Sequence, residues 1–275
     1  MKSLDVYFLP QLCNPDTLRG TSAVVIDVLR ATTTITHACA AGAKYIIPCL
    51  EIDRARKLAK SIGEQAVLAG ERGGLPIDGF DLGNGPGEFT EATVAGKTVL
   101  FTTTNGTKAL DHCRSAAEIL VGSFVNLNAI VRHLGHQEHV SLLCAGTNGQ
   151  ITQEDTLFAG CVALALSTAT WSNASHQDEM EPAKETLLSA KPVDQPKLND
   201  QALIAMAAAS GLAEFGPNRS LQWNSARIIK ALRKSSGGQN LIGVGLEADI
   251  ELAGQIDRFN LVPQLQITTG RISIR

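Results

Sequence analysis

The chain has 275 residues and a net charge of −3, with length enough for a large core and no basic block or acidic tail. That balance excludes nucleic acid as the main partner, because binding a phosphate backbone needs clustered Lys and Arg. Aromatic residues make up only 4% and small and branched aliphatics carry the apolar fraction, which suits a parallel sheet packed by helices.

Met1-Lys-Ser-Leu-Asp5 lacks the apolar core of a signal peptide, and no apolar run approaches membrane-spanning length, so a cytoplasmic location is expected. Leu4 to Leu9 alternates and predicts a first strand. The central stretch follows: Val24-Val-Ile-Asp-Val-Leu-Arg-Ala-Thr-Thr-Thr34. It reads as a buried strand that ends on an acid, then a guanidinium and three hydroxyls, then a helix from Ile35. The free N–H groups of a first helical turn favour a bound anion, and a carboxylate tolerates that anion only across a cation. A phosphate-type substrate with a divalent metal is the reading this suggests. Taken alone it competes with ordinary threonine N-caps and a turn aspartate.

Gly42 predicts a helix C-cap, Lys44 to Pro48 a strand, Glu51 to Ile62 an amphipathic helix, and Ala66 to Ala69 a short buried strand. Residues 70–86 then form a glycine-rich stretch that holds Glu71, Arg72, Asp78, Asp81 and Asn84, and is expected to be a long functional loop. Thr98 to Thr102 repeats the opening pattern, a strand running into Thr103, Thr104, Asn105 and Gly106 and a helix over 108–114. Glu118 to Val121 (strand), Asn126 to Leu134 (helix) and His139 to Cys144 (strand) follow. The last ends in Ala145-Gly-Thr-Asn-Gly149, after which Glu154-Asp155 opens a long apolar helix. Three strands thus feed hydroxyl-rich or small turns, and an open parallel sheet gathers such turns at one edge, where ligands bind. Residues 172–199 read as a polar excursion, Asp200 to Leu212 and Ser225 to Lys234 as helices, Ser235-Ser-Gly-Gly238 as a break before a helix from Asn240, and the C-terminus as extended.

Familiar phosphate signatures fail. Ala95-Gly-Lys-Thr98 lacks the first P-loop glycine and precedes a strand. Leu29 stands where an aspartyl phosphatase of the haloacid dehalogenase type needs Asp, and the Cys13–Arg19 spacing encloses no glycine. His133, His136 and His139 read as a solvated cluster before a metal site. The six cysteines lie mostly in apolar segments without any Cys-x-x-Cys, as small buried hydrophobes do. What survives is carboxylates, namely Asp27, Glu71, Asp81, Glu154 and Asp155. Such hard oxygen ligands beside a phosphate point to Mg²⁺.

Asp27-Val-Leu-Arg-Ala-Thr-Thr-Thr34, Gly70-Glu-Arg72, Gly79-Phe-Asp-Leu-Gly-Asn84, Thr102-Thr-Thr-Asn-Gly-Thr107 and Cys144-Ala-Gly146 with Glu154-Asp155 resemble the 2-phosphosulfolactate phosphatase family (ComB-like). The resemblance is dense over residues 4–166 and returns at Asp200, the Ser-Gly-Gly segment and Val262-Pro. It implies one α/β catalytic unit over 1–275, divisible at the excursion into about 1–170 and 200–275, with a largely parallel or mixed sheet flanked by helices. The implied activity is Mg²⁺-dependent hydrolysis of 2-phospho-3-sulfolactate to 3-sulfolactate and phosphate, a step toward coenzyme M. On that basis Asp27, Arg30, Glu71 and Asp155 are the expected catalytic residues, and Asp27, Asp81, Glu154 and Asp155 the expected metal ligands. Arg30 and Arg72 would bind phosphate and sulfonate. Thr32, Thr33, Thr34, Asn84, Thr103, Thr104, Asn105 and Gly106 would contact the substrate, the turns giving hydroxyl and N–H donors. Two other readings stay open: a phosphatase for another small phosphorylated acid, and a non-catalytic module that binds an anionic metabolite. A homo-oligomer is compatible with the sequence, which shows no interface.

Overall fold

The computed structural model describes residues 1–168, 196–215 and 221–274. The polar excursion expected at 172–199 lies outside the described residues up to residue 195. In chain order the elements are β1 (Ser3–Tyr7), β2 (Ser22–Ile26), α1 (Ala31–Ala40), β3 (Tyr45–Pro48), α2 (Ile52–Ile62), β4 (Ala66–Arg72) and β5 (Leu75–Pro76). Next come α3 (Glu91–Val94), β6 (Thr98–Thr102), α4 (Gly106–His112), β7 (Glu118–Gly122), α5 (Leu127–Leu134), β8 (His139–Cys144) and α6 (Gln153–Thr168). The last part gives β9 (Lys197–Leu198), α7 (Asp200–Ala209), β10 (Ala213–Phe215), β11 (Leu221–Trp223), α8 (Ser225–Lys234), α9 (Ser236–Gly243), α10 (Ala248–Ala253), β12 (Gln264–Gln266) and β13 (Arg271–Ser273).

Eleven strands form one sheet in the order β5-β4-β6-β3-β13-β12-β7-β2-β8-β1-β9. It is an α/β fold with a mixed sheet. β4, β6 and β3 are mutually parallel, and so are β7, β2, β8, β1 and β9. The C-terminal pair β12–β13 sits between these blocks and is antiparallel at all three of its junctions, to β3, within itself and to β7. An odd number of reversals makes the two blocks run in opposite directions.

Three cores follow from the side-chain alternation. Val24 and Ile26 of β2, with Leu120, Leu142 and Leu4, pack on one face with residues of α5, α6 and α7. Val25 of β2 points the other way, into a core shared with Ile46, Val99, Phe101, Val121 and the α1 residues Ile35 and Ala38. Leu100 packs with Ala55 of α2. Helix α1 therefore lies between residues of both blocks, and Ala31 to Cys39 are all buried. Small and β-branched residues suit a helix enclosed on every side. All six cysteines are buried and free, and burial pushes the Cys39 thiol up to about 12. Among the described residues no helix is long and apolar enough to cross a membrane.

Four expectations change. Helix α1 begins at Ala31, not Ile35, because the Asp27 carboxylate accepts the Ala31 N–H (3.1 Å) and the Asp27 carbonyl accepts the Thr32 N–H (2.9 Å). The threonines are thus inside the helix. The stretch 70–86 is only partly loop: β4 runs to Arg72 and returns as β5 through Gly73 (φ +60°) and Gly74 (φ +86°), a two-residue turn with both centres left-handed, as a type I′ hairpin needs. Ser235-Ser-Gly-Gly238 is a helix start, since the Ser235 hydroxyl accepts the Gly238 N–H (3.1 Å) as N-cap of α9. The sheet is mixed, as the resemblance allowed, but the common edge expected of an open parallel sheet does not follow from its strand directions, since β6 ends opposite to β2 in its local direction. A twist of roughly 20–25° per strand accumulates to about 100–125° over the five steps from β6 to β2. Ends that a flat sheet would hold on opposite edges are thereby swung together.

Candidate active site

The β2–α1 turn supplies the centre. Asp27 follows the last residue of β2 and is 8% exposed, with Oδ1 on the Ala31 N–H. Burial is the main cause that raises its carboxyl to about 7, with Glu71 and Glu154 adding repulsion against the Ala31 N–H and Arg30. Gly106, the first residue of α4, closes over it. A Cβ there would stand 2.7 Å from Asp27 Oδ2 and 2.5 Å from the Ala31 Cβ, so only glycine allows this approach. Arg30 is buried and donates from Nη1 to Asp249 Oδ2 of α10 (2.7 Å) and from Nη2 to the Gly74 carbonyl (2.8 Å). Glu71, on β4, accepts the Thr104 N–H at Oε1 and the Gly74 N–H at Oε2, both at 2.7 Å. One carboxylate thus ties the β4–β5 turn to the end of β6.

Asp27, Arg30, Glu71 and Gly74 line a cavity of about 330 Å³, with Gly106 and Asp249 behind them. Asn84, Thr104 and Asn105 line it with them. Of the other sequence-derived candidates, Thr32, Thr33 and Thr34 do not. Their hydroxyls donate to the carbonyls of Asp27 (2.9 Å), Val28 (2.8 Å) and Asn84 (2.8 Å), so they brace the site from within α1. Thr103 caps α4 by accepting the Thr107 N–H (3.2 Å). Arg72 turns away, donating to the Glu71 and Leu50 carbonyls and to Thr102 Oγ1. Asp81 is exposed and accepts the Leu68 N–H (2.8 Å) at the rim of the sheet, apart from the cavity. Asp155 is 2% exposed, with one oxygen on the Val28 N–H (2.8 Å) and the other on the Gly146 N–H (3.1 Å). It clamps the turns after β2 and β8, and burial together with Glu154 and Asp27 raises its carboxyl well above the ordinary range. Glu154 beside it is buried, its Oε2 has no hydrogen-bond partner, and burial raises it too. It abuts Gly237 of α9, where a Cβ would meet Oε1 at 2.4 Å.

Sequence reasoning missed one wall. Gly73 and Gly74 of the hairpin turn, Thr147 and Asn148 after β8, and Ser236 and Asn240 of α9 also line the cavity. The Ser-Gly-Gly segment was the available signal, and an N-cap serine before glycines is how it should be read. Asp249, the partner of Arg30, carries no motif. His133 belongs elsewhere, 3.1 Å from both oxygens of Glu118.

The donor set bears on a metal. Asp27 is crowded by Glu71 and Glu154 beside one guanidinium, that of Arg30, which already has a carboxylate partner. A phosphate dianion would be repelled there without a cation. Among the described residues no three His, Cys, Asp or Glu side chains form a ready metal cage. Mg²⁺ needs none, since it commonly takes one or two carboxylates and completes its octahedron with water and phosphate oxygens. The unpartnered Oε2 of Glu154 and the charge surplus fit Mg²⁺ in that mode.

The model of the 2-phosphosulpholactate phosphatase family matches residues 7–268. The chain belongs to the 2-phosphosulpholactate phosphatase family. A protein of Thermotoga petrophila named probable 2-phosphosulfolactate phosphatase is 37% identical over 262 residues, 95% of each chain. A protein of the same name from Carboxydothermus hydrogenoformans is 34% identical over 98% of this chain and 96% of its own. One from Caldicellulosiruptor saccharolyticus reaches 45% over 151 residues, 53% of this chain and 62% of its own. The family match runs from the end of β1 through β12, so it takes in the α9 wall as well as the strand ends.

Proposed function

We propose that the cavity hydrolyses the phosphate monoester of a small sulfonated hydroxy acid, 2-phospho-3-sulfolactate, to 3-sulfolactate and phosphate. The observation that carries this reading is the convergence of Asp27, Arg30 and Glu71 on one cavity in a chain whose relatives bear that enzyme's name. Bound Mg²⁺, held by Asp27 and Glu154, would neutralise phosphoryl charge and acidify a water. Arg30 directs its remaining N–H groups at a phosphoryl oxygen, kept in position by Asp249 and the Gly74 carbonyl. Glu71 accepts the proton of the attacking water. As the new P–O bond forms the ester P–O bond breaks, and the departing alkoxide of 3-sulfolactate takes a proton from solvent. Two backbone N–H bonds hold Glu71 in one orientation and leave lone pairs free. Thr104 and Asn105, at the N-terminus of α4, donate to the ester's oxygens. Asp155 keeps the turns after β2 and β8 at their spacing and does not touch the substrate.

The test is phosphate release from 2-phospho-3-sulfolactate with and without Mg²⁺, beside phospholactate and phosphoglycolate. Mg²⁺-dependent release that favours the sulfonated ester is expected. Release only from the carboxylic esters would keep the phosphatase and discard the substrate, and no release from any would refute the reading.

A further inference from the structure

Asn84 carries a buried acceptor with nothing to accept. The residue is 5% exposed and borders the cavity, yet Oδ1 has no hydrogen-bond partner among the described residues. An unpaired amide oxygen in the interior costs stability. The chain around this one is nevertheless held in place. Glu88 accepts the N–H groups of Gly83 (2.8 Å) and Gly85 (2.9 Å) on either side, and the Thr34 hydroxyl donates to the Asn84 carbonyl (2.8 Å).

Backbone register sets Asn84 beside Glu71. Ala69 of β4 bridges Leu82 in parallel, and the Gly70 N–H is shared between the carbonyls of Leu82 (3.2 Å) and Gly83 (3.0 Å). The two chains therefore run side by side, at roughly the 4.8 Å spacing of paired strands, into Glu71 on one and Asn84 on the other. Both residues line the cavity. Glu71 is itself fixed by the N–H groups of Thr104 and Gly74. Thr104, which also lines the cavity, adds a second buried atom without a partner, its Oγ1.

The two unpartnered atoms differ in what they can bind. A hydroxyl can donate, so Thr104 suits the ester, whose phosphate, carboxylate and sulfonate are ionised near neutral pH and offer acceptors. An amide oxygen only accepts. It needs a hydrogen, and among the reacting groups only water brings one. We propose that Asn84 Oδ1 accepts the second hydrogen of the attacking water, the first going to Glu71, an inference that rests on the phosphatase reading above. Two acceptors side by side fix both O–H bonds, and with them the direction of the lone pair that meets phosphorus. As the water oxygen bonds to phosphorus, the hydrogen on the Glu71 side passes to that carboxylate. The ester P–O bond breaks, and its alkoxide takes a proton from solvent. The hydrogen held by Asn84 stays on its oxygen and departs with the phosphate. A neutral amide suits this role, because it holds a hydrogen without competing for the proton.

Asn84→Ala is compared with wild type on whichever of 2-phospho-3-sulfolactate, phospholactate and phosphoglycolate the wild type hydrolyses fastest. The variant's kcat should fall roughly 10- to 100-fold. Its KM should change by less than about threefold, because the amide meets the water and not the ester. Both proteins are then run in water–methanol mixtures, with methyl phosphate measured beside inorganic phosphate. Methanol has a single O–H and cannot fill both acceptors, so the wild type should make almost no methyl phosphate. The variant, with room where the amide stood, should make a larger share. It should melt no lower than wild type, since Oδ1 has no protein partner to lose. The inference is overturned if kcat holds, with or without a rise in KM, or if the methyl phosphate share stays at the wild-type value. A higher Mg²⁺ requirement for half-maximal release, which would make the amide a metal ligand, or a melting temperature well below wild type also overturns it. All these outcomes leave the phosphatase reading intact, whereas a wild type that releases no phosphate from any of the esters overturns both.

Discussion

The turns after β2 and β6 look alike in sequence, each a buried strand followed by threonines and a helix, and the structure uses them differently. After β2 the hydroxyls of Thr32, Thr33 and Thr34 all reach backbone carbonyls, because α1 is buried on every side and offers them nothing else. Asp27, Leu29 and Arg30, ahead of the helix, line the cavity instead. After β6 the helix starts later relative to the hydroxyls. Thr103 serves as the cap, while Thr104, with Oγ1 unpartnered, and Asn105 stay outside the helix and line the cavity. A hydroxyl beyond a strand is therefore a ligand candidate only if the helix has not yet begun. In a helix's first turns a threonine finds a carbonyl, five residues back for Thr32 and Thr33 and across the site at Asn84 for Thr34, and is consumed.

The largest expected effect lies at the part of the first turn that does face the cavity. Asp27→Asn should lower phosphate release by on the order of 10³-fold or more, the scale expected for losing a group that organises phosphoryl charge. Circular dichroism and melting temperature should be unchanged or improved, because the variant removes one of several mutually repelling buried acids. Substantial residual turnover would move the chemistry away from this strand end.

Helix α1 behind that turn should express itself in stability alone, and His37 near its far end gives the next effect. It is 6% exposed, Nε2 has no partner, and the Phe259 ring meets it edge-on at 4.9 Å. Burial, with Arg258 adding, lowers its pKa to about 4. A histidine whose folded pKa is depressed binds fewer protons folded than unfolded. Its stability is complete above about pH 6.5 and is lost as the pH falls toward 4. Between pH 7.5 and 5 the wild type should lose about 2 kcal/mol more than His37→Leu in urea titrations, with kcat/KM near neutrality unaltered. Equal losses would place the protonated imidazole in contact with solvent.

Much of this arrangement was legible in the sequence. The strands from β1 to β8 other than the exposed β5, the acid at the end of β2 and the second strand-end cluster could be read from apolar runs and punctuation, since buried strands are continuous and apolar. The reversal between the two blocks could not, because it depends on where the three-residue strands β12 and β13 insert, and such short strands carry no periodicity. Among the site residues, Asp27, Arg30, Glu71, Asn84, Thr104 and Asn105 were readable as polar groups at strand ends or between glycines. Arg72 and Asp81 stand in equally suggestive company but face away, and alternation along β4 separates Glu71 from Arg72. Asn240 and Asp249 come from helices far along the chain, and no local pattern marks a residue whose role is fixed by a long-range contact.

The smallest effects separate the two turns most directly, because they use the same change on both. Thr32→Val removes the hydroxyl that donates to the Asp27 carbonyl and accepts the Asp27 N–H (3.1 Å), leaving that buried N–H without a partner while the carbonyl keeps the Thr32 N–H. A stability loss of about 1–3 kcal/mol follows, with kcat/KM changed less than threefold if Asp27 keeps its Ala31 bond. Thr104→Val removes a hydroxyl that has no protein partner, so the melting temperature should hold while kcat/KM falls roughly tenfold, the worth of one hydrogen bond to a charged ligand. The prediction is the crossing itself, stability without activity at one turn and activity without stability at the other. If Thr32→Val cost activity and left stability intact, the hydroxyls of α1 would face the ligand, and the distinction drawn from the start of the helix would fail.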